Sequence, residues 1–253
     1  MQSLVYLYSN ILTMAEITTY KYRIEPQDVD FTLRASAASI INYMLNVAGI
    51  DADSKGFGVA SLQGNKYTWV LSRLAVDIER QAEQYSNIEI DTWVNECNRL
   101  SSTRNFRMRQ GDELLAASVS QWCVLDMESR QVVDLSIMKE RHDQIMVDAP
   151  SPTSAPARLR PMEYTASSQH TVAYSDIDFN RHMNTLRYVD MIFDAISLDA
   201  IENNRGMRLD FNFIAEARYG EVLTIAHMNE GNTWHFEISS AEKAICRAKV
   251  EFK

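Results

Sequence analysis

The chain has 253 residues, 46% of them apolar and 23% charged, with a formal net charge of −9. This composition supports a large buried core and excludes a disordered or fibrous protein, and the negative balance argues against nucleic acid, whose phosphates call for a basic face. Cys97, Cys123 and Cys246 stand apart without a CxxC, and the five histidines show no i, i+4 pair, so the sequence carries neither a disulfide framework nor a metal site and suits a reducing cytoplasm.

In chain order, MQSLVYLYSNILT is apolar but has no Lys or Arg ahead of it and no small-residue cleavage site. It does not read as a signal peptide, and Met1 and Met14 are both open as the start. No apolar run approaches the ~20 residues that span a bilayer, so no stable membrane anchor is expected. A short opening strand leads into an Asp-rich turn, QDVDF from Gln27, and then a helix over 35–48. Four β-rich runs follow: YTWVLSRLAVDIE, NIEIDTWVNEC, STRNFRMRQ and LLAASVSQWCVLDM. Pro150, Pro152, Pro156 and Pro161 mark DAPSPTSAPARLRP as an extended linker. Beyond it, a helix is predicted over 183–201, then strands in RLDFNFIA, EVLTIAHMN, TWHFEISS and AICRAKVEF. GDE at Gly111 and NEGN at Asn229 are hairpin signals.

The two halves repeat. QDVDFTLRASAASIINYML lies over SDIDFNRHMNTLRYVDMIF at an offset of 148, placing Asp30 and Phe31 on Asp178 and Phe179. AEQYSNIEI lies over EARYGEVLT at 134, with Tyr85 on Tyr219, and Phe106 falls on Phe236 at 130. Each copy is one largely apolar helix followed by several strands. The natural packing wraps an antiparallel sheet around a long helix. The expected fold is therefore α+β, a double hot dog: one unit over 1–147, a linker over 148–162 and a second unit over 163–253. Pairing the two sheets edge to edge would remove an exposed edge from each.

The copies differ in one polar set. Asn180 faces Thr32, His182 faces Arg34, Asn184 faces Ser36 and Glu216 faces Ala82 in this alignment. Asp and Asn before a helix are ordinary N-caps, and Asp30 repeats Asp178, so capping accounts for part of the pattern. A cap does not call for a histidine. Residues at i, i+2 and i+4 of an extended or turning segment project to one side, so Asp178, Asn180 and His182 can converge on one pocket, with helix N–H groups behind them. Glu216, expected on a later strand, would reach across to complete a hydrolytic set.

SDIDFNRHMNTLRY resembles the signature of the acyl-acyl carrier protein thioesterases, Asp-x-Asn-x-His-x-Asn and then Tyr four residues on, met here by Asp178, Asn180, His182, Asn184 and Tyr188. GFGVA at Gly56, YTWVLSR at Tyr67 and EIDTWV at Glu89 resemble blocks of that family's first half, and IAEARYGE puts Glu216 at its catalytic glutamate. The family often has Cys directly after that Glu; Ala217 stands there, which excludes a thiolate mechanism at that position. The resemblance implies hydrolysis of fatty-acyl-carrier-protein thioesters with no metal or other cofactor. Glu216 and His182 would activate water or attack the carbonyl, Asn180 would orient the nucleophile, Asp178 would fix the turn, and backbone N–H groups near Asn184 would hold the oxyanion. Asn184 and Tyr188 are assigned to substrate binding. Ile40, Met44, Leu45, Trp69 and Leu71 are candidates for an acyl tunnel in the first copy. The carrier protein is acidic, so docking needs a basic patch, for which Arg107, Arg109, Arg158, Arg160 and Arg181 are candidates. An acyl-CoA thioesterase on the same scaffold, a dehydratase or hydratase of the same fold and a non-catalytic lipid-binding double hot dog are the alternatives, and a homodimer is left open.

Overall fold

Runs rich in Val, Ile, Thr and aromatic side chains suit a pleated, half-buried surface, and they form the strands. The computed structural model describes residues 15–64, 66–241 and 243–253, so the choice between Met1 and Met14 lies outside the described residues. The strands are β1 (Thr18–Arg23), β2 (Tyr67–Ile78), β3 (Asn87–Cys97), β4 (Ser102–Gln110), β5 (Glu113–Asp126), β6 (Ala166–Thr171), β7 (Met207–Phe213), β8 (Val222–Glu230), β9 (Thr233–Ser239) and β10 (Ala244–Phe252). They make one sheet in the order β1-β3-β4-β5-β2-β7-β10-β9-β8-β6, with every neighbouring pair antiparallel. Each half of that order mirrors the other, and the halves join edge to edge where β2 pairs with β7. The join covers one edge of each half, as expected.

The register of the join corrects the sequence alignment. Ala75 sits opposite Asp210, Arg73 opposite Asn212 and Asp77 opposite Arg208. A two-fold through the Ala75–Asp210 pair exchanges the other two and corresponds to an offset of 135 here, one more than the 134 read from the sequence. The same offset holds in the following loop. Ala35 N–H donates to Ala82 O at 2.8 Å, and Met183 N–H donates to Ala217 O at 2.9 Å. Tyr85, at φ 65°, thus matches Gly220, at φ 83°, rather than Tyr219. It also places Ile88 and Ile90 on Leu223 and Ile225, all buried. A slip of one residue would turn that whole face outward. Glu216 therefore faces Gln81, not Ala82.

Helix α1 (Ala37–Ser54) starts where the Ser36 side chain accepts the Ser39 N–H, and it outruns the predicted span. The helix predicted over 183–201 is instead two: α4 (Thr185–Asp194), capped by Asn184, and α5 (Leu198–Asn203), capped by Ser197. A serine side chain that satisfies free N–H groups competes with continuation of the helix, and here it starts a new one. Two short helices in the first copy, α2 (Val59–Gln63) and α3 (Lys139–Ile145), complete the set. Helices α1 and α4 lie against one face of the sheet. Ile40, Ile41 and Met44 of α1 and Val189 and Ile192 of α4 share a core with Phe106, Phe211 and Phe236. No described helix is long and apolar enough to cross a membrane.

The Pro-rich segment is extended, as read, but it is docked. Opposite the helices, the Ala149 carbonyl accepts from Asn95 Nδ2 at 3.2 Å, and Thr153 Oγ1 donates to Asp77 at 3.1 Å. Ala157 N–H donates to Asp210 at 2.8 Å and Leu159 N–H to Asn212 at 2.9 Å. The strap thus adds partners to polar side chains of the sheet, among them buried Asp210 and Asn212 on β7 at the join. Cys97, Cys123 and Cys246 are free thiols on strands, the last fully buried.

Candidate active site

The turn that carries the polar set is closed from within. Asp178 N–H donates to His182 O at 2.8 Å, and Arg181, in the left-handed region at φ 64°, donates its N–H to Asp178 O at 3.0 Å. The Asp178 carboxylate accepts the N–H groups of Asn180 (2.8 Å) and His182 (3.2 Å). Its Oδ1 is thus engaged by the backbone of its own turn. Beneath it, buried Asp176 accepts from Ala173 N–H at 2.8 Å and from Arg187 Nε at 3.0 Å, with His170 Nε2 at 2.7 Å. Burial pushes the Asp176 carboxyl up, but these partners outweigh it and hold the group below the ordinary carboxylate range. The Asp176 carbonyl takes Asn184 N–H at 2.7 Å, which ties the turn to the start of α4.

Glu216 lies in the loop between β7 and β8 rather than on a strand. The loop is fastened by the Met183–Ala217 bond, and buried Tyr188 of α4 shares the core with Ala217. Burial pushes the Tyr188 hydroxyl far up. Tyr188 thus supports the glutamate loop from below. Glu216 Oε2 stands 3.3 Å from His182 Nε2, so the two residues singled out in the sequence meet. The same oxygen is ion-paired to Arg130, which sequence reasoning missed. Arg130 belongs to the first copy, 86 residues away, in a turn after β5. Asp126 Oδ1 accepts the N–H groups of Glu128 and Ser129, both at 2.8 Å, and these bonds hold its carboxyl low. Arg130 N–H donates to Asp126 O at 2.9 Å, with Arg130 at φ 58°. An arginine beside an Asp-led turn carries no local signal of function; only packing reveals it.

A cavity of about 380 Å³ opens beside this set, lined by Phe179 and Asn180 from the second copy and by α1 and the strands of the first. Leu45 and Trp69 line it; Ile40, Met44 and Leu71 do not, and they pack in the main core. The reason is the helical period: Leu45, Ala48, Gly49, Ala52 and Asp53 recur on one face of α1, while Ile40 and Met44 lie on the face toward the core. GFGVA shapes one wall. Gly56 (φ 70°) leads the chain away from α1, and a Cβ on Gly58 would meet Asp53 Cα at 2.8 Å, so only glycine fits there. Phe57 O then accepts Trp69 Nε1 at 2.8 Å.

Near Asn184, four N–H groups are engaged: Met183 on Ala217 O, Asn184 on Asp176 O, Leu186 on Asn184 Oδ1 and Arg187 on Asn184 O. Thr185 N–H makes no hydrogen bond among the described residues and is the one of this group left for an oxyanion, while Asn184 acts as the α4 cap. The basic patch also thins. Arg107 lies 3.2 Å from Asp91 and 5.1 Å over the Trp93 ring, and Arg109 pairs with Asp91 at 3.0 Å and Glu89 at 3.2 Å. Arg158 and Arg160 are on the strap, behind the sheet. Arg181 is exposed at the site, as are Arg218 beside Glu216 and the ring of Phe179, which is 82% exposed. Among the described residues, no group of three or more His, Cys, Asp or Glu could hold a metal ion.

A family model for the acyl-ACP thioesterase N-terminal domain matches residues 15–143, and one for the acyl-ACP thioesterase C-terminal domain matches residues 159–253. An acyl-ACP thioesterase from Bacteroides thetaiotaomicron is similar at 31% identity and TM-score 0.86, over 94% of this chain and 98% of that one. The 12:0-ACP thioesterase from Umbellularia californica has the same fold at 18% identity and TM-score 0.83, over 94% of this chain and 97% of that one. The chloroplastic oleoyl-acyl carrier protein thioesterase of Coriandrum sativum is 20% identical over 80% of this chain, which spans 60% of that relative's length.

Proposed function

Because the chain belongs to the acyl-ACP thioesterase family, we propose that it hydrolyses fatty-acyl thioesters of acyl carrier protein to free fatty acid and holo-carrier. The observation that carries this reading is the His182–Glu216 pair at 3.3 Å, next to an apolar cavity that Asn180 helps to line. With Oε2 held by His182 and Arg130, Glu216 Oε1 makes no hydrogen bond among the described residues. In the water mechanism Oε1 takes a proton from water, the hydroxide adds to the thioester carbonyl, and the tetrahedral intermediate expels the pantetheine thiolate, which is then protonated. A thiol of pKa about 8.5 leaves readily, so acid assistance can be weak. Direct attack by Glu216 would give an acyl-enzyme anhydride instead, and rapid quench separates the routes by whether acylated Glu216 can be trapped during turnover. Asn180, at the cavity wall, orients the nucleophile or the carbonyl.

The division of labour follows the two copies: 1–147 houses the chain, 163–253 supplies the polar set, and Arg130 crosses between them. Arg181, next to Asn180 in sequence, and Arg218, two residues after Glu216, are exposed, and with Phe179 they offer an acidic carrier a cationic, partly apolar landing on a chain that is acidic overall. Three free thiols support a reducing compartment, the cytoplasm. The test is thiol release from one acyl chain on carrier protein and on CoA, at low and high salt. Faster turnover of the carrier-bound chain that weakens with salt is expected. Preference for CoA would make this an acyl-CoA thioesterase, and no release from either would refute hydrolysis.

A further inference from the structure

A glycine stands on the cavity wall where the backbone does not call for one. Gly49 lies well inside α1, which runs unbroken from Ala37 to Ser54, and its φ is outside the left-handed region. Inside a helix glycine is less stable than alanine, because it has more backbone freedom to lose. Crowding does not require it either: a Cβ on Gly49 would meet no atom within 4 Å beyond its own stretch of helix, whereas one on Gly58 would strike Asp53.

The position matters to the cavity instead. Leu45, Ala48, Gly49, Ala52 and Asp53 form the lining face of α1, and at 3.6 residues per turn Gly49 falls inside that arc, between Leu45 and Asp53. Ala48 and Ala52 are buried, but Gly49 is exposed, so free space on this wall lies beside it. An apolar side chain placed there would turn onto the apolar surface that Phe57, Trp69 and Trp122 offer in the cavity. The second copy shows the filled alternative. At the offset of 148, Phe193, Ile196 and Ser197 stand for Leu45, Ala48 and Gly49, and all three line the cavity of about 440 Å³ on that side. At each of the three positions the first copy has the smaller side chain.

We propose that Gly49 is a specificity-determining residue: by withholding a side chain from the cavity face of α1, it leaves room for the outer carbons of the acyl chain and sets the longest chain that the cavity takes. The cost is helix stability, given up for cavity space. The inference rests on the thioesterase reading for what enters the cavity, and one arm of its test does not need turnover.

The full chain, Gly49→Ala and Gly49→Leu are compared in thiol release from acyl-carrier protein and acyl-CoA, from octanoyl to octadecanoyl. Leucine fills the space of about four chain carbons in a close-packed wall, so Gly49→Leu should shorten the longest chain turned over well by about two to four carbons. The loss on the longest chains should be at least about tenfold in kcat/KM, with the shortest changed less than about twofold. Gly49→Ala should lose about threefold on the longest chains only, and its urea midpoint should rise. An unchanged length profile in folded Gly49→Leu overturns the proposal, as does an equal loss at every length. If Gly49→Leu does not fold, Gly49→Ala decides: an unchanged ratio of long-chain to short-chain turnover, or a lowered urea midpoint, overturns it. Displacement of a fluorescent fatty acid by free acids of the same lengths separates the two readings. A shortened binding limit without thiol release refutes hydrolysis alone, and brisk release with an unshifted profile refutes the role of Gly49 alone.

Discussion

At the first Asp-turn, Asp30 Oδ1 accepts Thr32 N–H at 2.8 Å and the backbone closes between Asp30 and Arg34 at 2.9 Å; at the second, Asp178 does the same for Asn180 and His182. Leu33 and Arg181 share the left-handed conformation, at φ 59° and 64°. On this common backbone the side chains part. His182 meets Glu216, whereas Arg34 is buried and donates Nη2 to the carbonyls of Ile201 (3.4 Å) and Glu202 (3.2 Å) in α5. Gln81, the true counterpart of Glu216, is buried with an unpartnered Oε1. The helices part as well. Unbroken α1 lends its last turns to the cavity beside Asn180, but the break before Ser197 lets α5 deliver its carbonyl end to Arg34. Duplication thus preserved the hydrogen-bonded turn and a neighbouring cavity, of about 440 Å³ beside Phe31 and Gln81, and one helix break together with three side-chain changes distinguishes the two sites.

The largest effect that can test this contrast is Glu216→Gln. It should cut kcat/KM by about 10²–10⁴-fold in the thiol-release assay while circular dichroism stays unchanged, as for loss of a positioned base or nucleophile. Next comes an attempt to revive the silent side. Thr32→Asn, Arg34→His and Gln81→Glu combined with Glu216→Gln should restore no turnover, because α4 stops at Asp194 and that side lacks the unbroken helix that walls the other cavity, and unfolding should show about 1–3 kcal/mol lost as the α5 carbonyls lose their donor. Recovered activity would mean that side-chain identity alone separates the copies.

A smaller effect is expected for Arg130→Gln, which leaves the glutamate less well positioned: kcat should fall about tenfold with little change in KM, and Arg130→Lys should recover part of it. An unchanged kcat would reduce the cross-copy ion pair to a surface contact. The smallest effect concerns the platform under the second turn. Asp176 is held below its unfolded pKa of about 3.9, so its contribution to stability is present above that value and is lost as pH falls through the folded one. Asp176→Asn should cost about 1 kcal/mol at neutral pH by urea denaturation, with the gap to wild type closing below about pH 4. A gap independent of pH would assign the carboxylate's partners no electrostatic part.

Much of this was legible because it is local. Period-two runs became strands, Ser36 and Asn184 became caps, and Asp178 closed its own turn, each from interactions within a few residues. The internal repeat also showed that His182 is the odd residue at its position. Reading the repeat by identity misled once: Tyr85 over Tyr219 is a matched pair of letters, but the left-handed backbone belongs to Tyr85 and Gly220, and that single step hid Gln81 behind Ala82.

What remained hidden depends on packing between distant segments. Which face of α1 turns to the cavity separates Leu45 from Ile40 and Met44, although all three are apolar and neighbours in sequence. Arg130 reaches Glu216 because β2 joins β7 and brings the turn after β5 against the second copy's loop. Periodicity and capping are written in nearest neighbours and survive any arrangement of the whole. Contacts across the join exist only once the two half-sheets have set the distances between them.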